Sequence, residues 1–136
     1  MNRTTLFGYQ LVTGIADTLT GGLLMVAPEL TLRLMHLQAP SDALIYVSFI
    51  GAFVFSVGLA CLYGARLADC GGCRTRLKVV WLLTAFTRAS VATFVAGQIM
   101  AGTLQTGWLT VAAMDGACVV IQAIGLRRGW LALATR

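Results

Sequence analysis

Charged side chains are scarce in this sequence. Only 11% of its 136 residues are charged and 58% are hydrophobic, with a mean hydropathy of +0.83, whereas a typical soluble domain has about 25% charged residues. Ten basic and five acidic side chains cannot cover a soluble domain of this size. Disorder is excluded as well, because it requires low hydrophobicity and high charge. We therefore expect an integral membrane protein that forms a single domain over residues 1–136.

Histidine and proline are also rare, with one His and two Pro in the whole chain. The single histidine, His36, excludes a bis-histidine haem within one chain and makes no metal site by itself. The 15 glycines form no phosphate-binding motif. The sequence therefore indicates no particular cofactor, and the cofactor stays unknown.

Four apolar stretches are long enough to cross the hydrocarbon core, since a helix of about 20 residues spans about 30 Å. Residues 44–50, within the second stretch, lack the strict alternation of a β-barrel strand. We expect an all-α, integral membrane four-helix bundle. The predicted spans cover about residues 6–27, 43–65, 77–100 and 108–126.

Basic residues concentrate on one side of these spans. Eight of the ten lie before the first span, between the second and third, or after the fourth. Because Lys and Arg accumulate in cytoplasmic loops, we expect both termini to be cytoplasmic, in a cell inner membrane. The basic residues flank spans without aromatic platforms, so they do not indicate nucleic-acid binding. The eight are Arg3, Arg66, Arg74, Arg76, Lys78, Arg127, Arg128 and Arg136.

The connection between the first two spans, residues 28–42, is amphipathic. This pattern predicts a short helix that lies in the outer membrane interface and ends at Pro40. Ser41 or Asp42 is then expected to cap the second span. Two interpretations of this segment stay open: it is only a connector, or its histidine has a ligand-binding role. Read as a helix, the segment sets Glu29, Arg33 and His36 against Leu30, Leu34 and Leu37.

The predicted cytoplasmic loop carries a C-x-x-C sequence, Cys70 to Cys73. Such a pair forms a redox dithiol or half of a zinc site in other proteins. The βαβ context of a redox motif is missing, and the nearest third cysteine is Cys61. A reducing cytoplasm disfavours a permanent disulfide. A flexible turn, a metal site shared with a partner and a redox pair therefore stay open, while Cys118 in the fourth span is expected to act as a small apolar residue.

Three ionisable residues fall inside the predicted spans: Asp17, Arg88 and Asp115. Each costs about 2.5–3.5 kcal/mol at a helix centre, so each should face the bundle and find a partner. They lie about 15, 18 and 12 Å from the outer boundary, so we expect them to share one mid-membrane layer. One Arg and two Asp leave a net charge of −1, which a proton, a cation from a lipid or partner, or water must offset.

Two further patterns run along the spans. Gln10, Gln98 and Gln122 extend polar stripes through the three charges, so we include them in the predicted intramembrane network. The second span instead repeats a small residue every four positions, which allows close packing within the bundle or with another chain. This packing ridge consists of Ser48, Ala52, Ser56, Ala60 and Gly64.

The chain resembles the small four-span bacterial DoxX-like membrane proteins. The resemblance is one of architecture: four short spans, a break at Ala27-Pro28-Glu29 after the first, and charges in the third and fourth. Some members of that group are associated with quinone-linked sulfur oxidation, and the resemblance implies such a link for this chain.

Three functions are compatible with these features. The first is a non-enzymatic accessory or structural subunit of a larger membrane complex, because the chain is small, has short loops and lacks a soluble catalytic domain. The second is a small proton-coupled carrier that uses the Asp–Arg–Asp network. The third is a quinone-linked membrane redox protein. The expected partners are the lipid bilayer and either another protein or a second copy, bound through the second span.

Overall fold

The computed structural model describes residues 3–70 and 73–133, and Arg136 with the Gly71–Gly72 pair lies outside them. The described chain is 87% helical and contains no strand, so the expected all-α fold is confirmed. Short 3-10 turns, Ser41–Ala43 and Thr106–Trp108, precede the third and fifth helices. The α-helices are α1 (Arg3–Val26), α2 (Pro28–Leu34), α3 (Leu44–Asp69), α4 (Arg74–Met100), α5 (Leu109–Arg127) and α6 (Trp130–Leu133).

Three helical stretches are long and apolar enough to cross a membrane. They are Ser41–Asp69, Arg74–Met100 and Thr106–Arg127, with mean hydropathies of 2.2, 1.6 and 1.8. Many of their large apolar side chains, such as Phe53 and Phe86, point away from the protein interior. Exposed apolar side chains along helices of this length are typical of helices that contact lipid or other proteins. The fold is therefore that of a multi-pass membrane protein.

Helix α1 has the length of a span, at 24 residues, but Gln10 and Asp17 lower its hydropathy. It packs along α3 at backbone distance. A Cβ atom on Gly14 would lie 2.8 Å from the Leu62 side chain, and one on Gly58 would clash with the backbone of Thr18. Glycine is therefore required where these helices cross, as in other tightly packed membrane helices.

The seam between α1 and α3 differs from the predicted packing ridge. It uses Gly51 and Gly58 of α3 and Gly14 and Gly21 of α1, each pair seven residues apart. Within the ridge, only Gly64 is buried and the other four residues are partly or fully exposed. A seven-residue spacing keeps one side of a helix against a nearly parallel neighbour, whereas a four-residue spacing drifts around the helix. The ridge as a contact with another chain stays a prediction.

Two apolar clusters close opposite ends of the long helices. The Leu6 cluster joins the start of α1, the end of α3, the start of α4 and the segment after α5. The Leu24 cluster joins the end of α1 with the connection to α3 and the start of α3. A polar layer lies between them. Their buried members are Leu6, Leu67, Ala68, Leu77, Trp81 and Leu131 in the first, and Leu24, Leu32, Leu37 and Val47 in the second.

The connection between α1 and α3 is less helical than its pattern predicts. Helix α2 ends at Leu34, short of Pro40, because the Leu37 N–H donates to the Leu32 carbonyl oxygen at 2.8 Å and His36 adopts a φ of +56°. This left-handed turn is a common helix ending. No side-chain hydrogen bond caps α3, so the expected cap from Ser41 or Asp42 is wrong. Of the three predicted apolar-face leucines, only Leu37 is buried, and Leu30 and Leu34 stay exposed.

The left-handed turn leads to a stability prediction. A Cβ atom at φ +56° costs about 1–2 kcal/mol, a penalty that glycine does not carry. We expect His36→Gly to raise the unfolding temperature of the detergent-purified protein. His36→Ala keeps the Cβ atom and should give no comparable gain. If both variants behave alike, the backbone conformation at this position is not the cause.

Candidate functional site

The charged residues of α1, α4 and α5 meet in one cluster, which we call the triad (Asp17, Arg88 and Asp115). Arg88 Nη1 donates to Asp115 Oδ1 at 2.6 Å, and Arg88 Nη2 donates to Asp17 Oδ2. The Arg88 side chain is 7% exposed, and those of Asp17 and Asp115 are 20% and 16% exposed. Because α1 packs with α3 and α4 packs with α5, Arg88 joins one helix pair to the other.

The electrostatics of the triad are unbalanced. One guanidinium contacts two carboxylates, each through a different nitrogen. Their attraction is strong in a medium of low dielectric constant, but one negative charge remains without a cation. Such an arrangement is able to take up a proton on one carboxylate, or to accept the cationic group of another molecule.

A set of weaker polar groups lies next to the triad on the side of the Leu6 cluster. The Cys61 thiol of α3 contacts Arg88 and Thr13. The Tyr9 hydroxyl of α1 lies near the Cys118 thiol of α5. These contacts extend hydrogen-bonding capacity away from the charges. Cys118 is buried, and its behaviour as a small apolar residue stays a prediction.

Three buried polar side chains form a second polar row (Gln10, Trp81 and Gln122). Each is seven residues from the triad member on its own helix, which corresponds to about 10 Å along the axis. Gln122 Nε2 donates to Thr84 Oγ1 at 2.8 Å. Gln10 is 0% exposed and lies against Gly64. The triad and the second polar row therefore belong to one polar column.

Several buried polar atoms of this column lack a protein partner. Buried side-chain polar groups are satisfied in the large majority of cases, so each exception requires an explanation. The sequence could reveal the glutamines but not Trp81, whose ring reads as an apolar group. Within the described part of the chain, the unpartnered atoms are Gln10 Nε2, Gln10 Oε1, Thr18 Oγ1, Trp81 Nε1, Arg88 Nε and Gln122 Oε1.

The structure places Gln98 outside the polar column. The Thr103 hydroxyl lies 2.5 Å from the Gln98 side-chain oxygen and 2.9 Å from the Gln98 main-chain carbonyl oxygen, so its one proton is shared between the two acceptors. This hydroxyl thereby helps to satisfy a carbonyl group at the end of α4. Gln98 lies ten residues from Arg88, on the side opposite the second polar row.

The C-x-x-C segment is described only at its two cysteines. The Cys73 N–H donates to the Cys70 carbonyl oxygen at 3.4 Å. A hydrogen bond with the Cys70 thiol raises the pKa of the Cys73 thiol above its usual value of 9.0. A redox thiol requires the opposite shift, because the thiolate is the nucleophile. Among residues 3–70 and 73–133, no group of three His, Cys, Asp or Glu side chains is placed to hold a metal ion.

The raised pKa of Cys73 predicts slow alkylation that accelerates as the pH rises through and above 9. Cys70→Ala removes the hydrogen bond and lowers the pKa, so alkylation of Cys73 at pH 8 should become faster, by up to about tenfold per pKa unit regained. The measurement is the rate of labelling by N-ethylmaleimide, followed by mass spectrometry. An unchanged rate in the variant would contradict the hydrogen-bonded pair.

Helices α4 and α5 leave an open groove of about 610 Å³ towards the Leu24 end. Gly97 lines it, and the Cβ positions of Gly97 and Gly116 meet no atom within 4 Å. The groove therefore has room for apolar groups of another molecule. Its small lining residues are Ala92, Thr93, Ala96, Gly97, Ala112 and Ala113.

No family model, curated protein or solved structure matches this chain at a significant level. The resemblance to DoxX-like proteins stays a prediction that rests on the number of spans and the positions of the charges. Any function must be argued from the polar column, the groove and the outer surface of the helices.

Proposed function

We propose that the chain crosses a cell inner membrane four times. In this proposal α1 is the fourth span, beside the three more apolar helical stretches described above. The outward side chains of α1, among them Val12 and Leu19, are apolar and exposed. Its polar side chains Gln10 and Asp17 turn towards the other helices. Gly14 and Gly21 allow it to approach α3 closely, at Leu62 and at Gly51 and Phe55. These features fit a helix that lies in the bilayer beside α3.

The proposed orientation has both termini in the cytoplasm. Arg3, Arg66, Arg74 and Arg127 all lie at the Leu6 end of the long helices, which agrees with the positive-inside rule. The connection containing α2 then lies outside. Its exposed Leu30 is free to enter the lipid interface. Reporter fusions after residues 39 and 136 test this orientation.

We further propose that the protein is a small carrier that moves protons, with the triad as its proton-binding site. The single observation that carries the proposal is Arg88 held between two carboxylates, with a negative charge left over, in a polar layer between two apolar clusters. Protonation of one carboxylate makes the layer neutral and frees that carboxyl group from the guanidinium. Loss of the proton restores the three-way contact, so proton binding alters the link between the helix pairs.

The experiment is proton movement into proteoliposomes under an imposed pH gradient and membrane potential. We expect Asp115→Asn to reduce the protein-dependent flux at least tenfold, because the amide cannot take up a proton. Asp42→Asn is the matched control, since Asp42 lies in the exposed connection. Equal fluxes in the wild type and Asp115→Asn, or none in either, would reject the carrier proposal.

An accessory or structural subunit is the second candidate, and the α4–α5 groove favours it. Small side chains line the groove, and Gly97 within it leaves its Cβ position open. Another helix could approach closely there. Extraction in mild detergent tests this candidate: a lone monomer without a co-purifying membrane protein argues against it. The quinone-linked alternative stays a prediction, tested by cofactor absorbance of the purified protein.

A further inference from the structure

The second polar row has more hydrogen-bonding capacity than the protein satisfies. Gln10 offers a donor and an acceptor, Trp81 offers a donor and Gln122 offers an acceptor, all without a protein partner. Gln10 and Trp81 are 0% exposed and Gln122 is 1% exposed. If these atoms were dry, each would cost about 1–3 kcal/mol. Four such atoms in one layer form a mixed set of donors and acceptors, as a buried water site requires.

We infer that the second polar row binds water inside the helix bundle and that this water is the proton connection of the triad towards the Leu6 end. The inference about the path rests on the proposed carrier function, whereas the water site stands on the unpartnered atoms. Buried waters make about three hydrogen bonds each. The two donors and two acceptors of the row are enough for such a molecule.

The close packing around the row favours water over a larger ligand. A Cβ atom on Gly64 would lie 2.6 Å from Gln10 Nε2, and one on Gly125 would lie 2.5 Å from the Trp81 ring. Leu6 and Leu77 are fully buried beyond the row. Water is the smallest molecule that both donates and accepts hydrogen bonds. A larger molecule would have to displace these packed groups.

Polar groups continue from the row to the triad. Tyr9 packs against Trp81 with ring centroids 5.8 Å apart, and its hydroxyl lies near the Cys118 thiol. Cys61 contacts Arg88. A proton that enters at the row can pass along water to a triad carboxylate, with each water oxygen taking one proton and releasing another. The Leu6 cluster closes the end of this path and must move for protons to exchange with the cytoplasm.

The test uses the indole N–H of Trp81 as a water reporter. In protein labelled with ¹⁵N-tryptophan, this signal should show a cross-peak to water, with the assignment made from Trp81→Phe. Gln10→Leu removes two of the four atoms, so we expect exchange of the Trp81 indole proton with deuterium to slow about tenfold. Gln122→Leu should also slow the exchange of the Trp81 indole proton, so the prediction can be tested even if one of the two variants fails to fold. Gln98→Leu is the control and should leave the exchange rate unchanged.

The results separate the water site from the carrier function. A water cross-peak with slowed exchange in both row variants supports the site, and loss of proton flux in the same variants supports the path. A Trp81 indole without a water contact, and with exchange unaffected by Gln10→Leu, overturns the inference even if the wild type carries protons. A hydrated Trp81 in a protein without flux overturns the path and the carrier proposal but leaves the water site in place.

Discussion

Replacing Arg88 with Leu is expected to lower the free energy of unfolding by about 3–5 kcal/mol, because it leaves two buried carboxylates without their cation. Arg88 donates to carboxylates of α1 and α5, and its side chain is 7% exposed. The variant also loses the polar contact between the α1–α3 pair and the α4–α5 pair, while the Leu6 cluster still joins them. Unfolding of the detergent-purified protein in increasing dodecyl sulfate, followed by circular dichroism, measures the loss.

Neutralising the acids should recover much of this stability. In the Arg88→Leu background, Asp17→Asn and Asp115→Asn remove both uncompensated charges, and we expect a more stable protein than Arg88→Leu alone. Arg33→Leu is the matched control, because Arg33 pairs with Glu29 at 2.6 Å on the surface and should cost no more than about 1 kcal/mol. An Arg88 variant as stable as the Arg33 variant would show that the triad does not hold the helices together.

The placement of the triad could be predicted because a charge in hydrocarbon has few acceptable environments. Asp17, Arg88 and Asp115 had to avoid lipid, and their similar depths left one another as the available partners. The structure brings the three side chains into contact. The helical fold and the membrane helices follow from equally strong constraints, namely backbone hydrogen bonding and hydropathy. Such features do not depend on the details of packing.

Features that depend on neighbours were less predictable. The four-residue ridge from Ser48 to Gly64 looked like the packing surface of the second span, yet Gly51 and Gly58 contact α1. Both the four-residue and the seven-residue patterns are present in α3. The contact surface is decided by the glycines of α1, which pack against the seven-residue pattern. The left-handed turn at His36 was likewise not predictable from the helical pattern, because it accompanies the burial of Leu37 and few residues other than glycine adopt a positive φ.

The glycine seam gives the other large effect, at Gly21. A Cβ atom there would lie 2.7 Å from the Gly51 carbonyl oxygen and equally close to the Phe55 Cα atom. These are backbone atoms of α3, so the clash is relieved only if the helices separate. We expect Gly21→Ala to destabilise the protein by about 1–3 kcal/mol, the usual cost of overpacking. The same unfolding titration in dodecyl sulfate measures it.

Gly116→Ala separates this clash from the effect of alanine on helix stability. Gly116 lies inside α5 with no atom within 4 Å of its Cβ position, so alanine there should stabilise the helix by about 0.5–1 kcal/mol. The same replacement of glycine by alanine is therefore expected to lower the free energy of unfolding at Gly21 and to raise it at Gly116.

Separation of α1 from α3 would also move Asp17 relative to Arg88. The Gly21 variant should therefore lose proton flux in proportion to its instability. A Gly21 variant that gains stability like the Gly116 variant would contradict the close approach of α1 and α3, and with it the placement of α1 as a span beside α3.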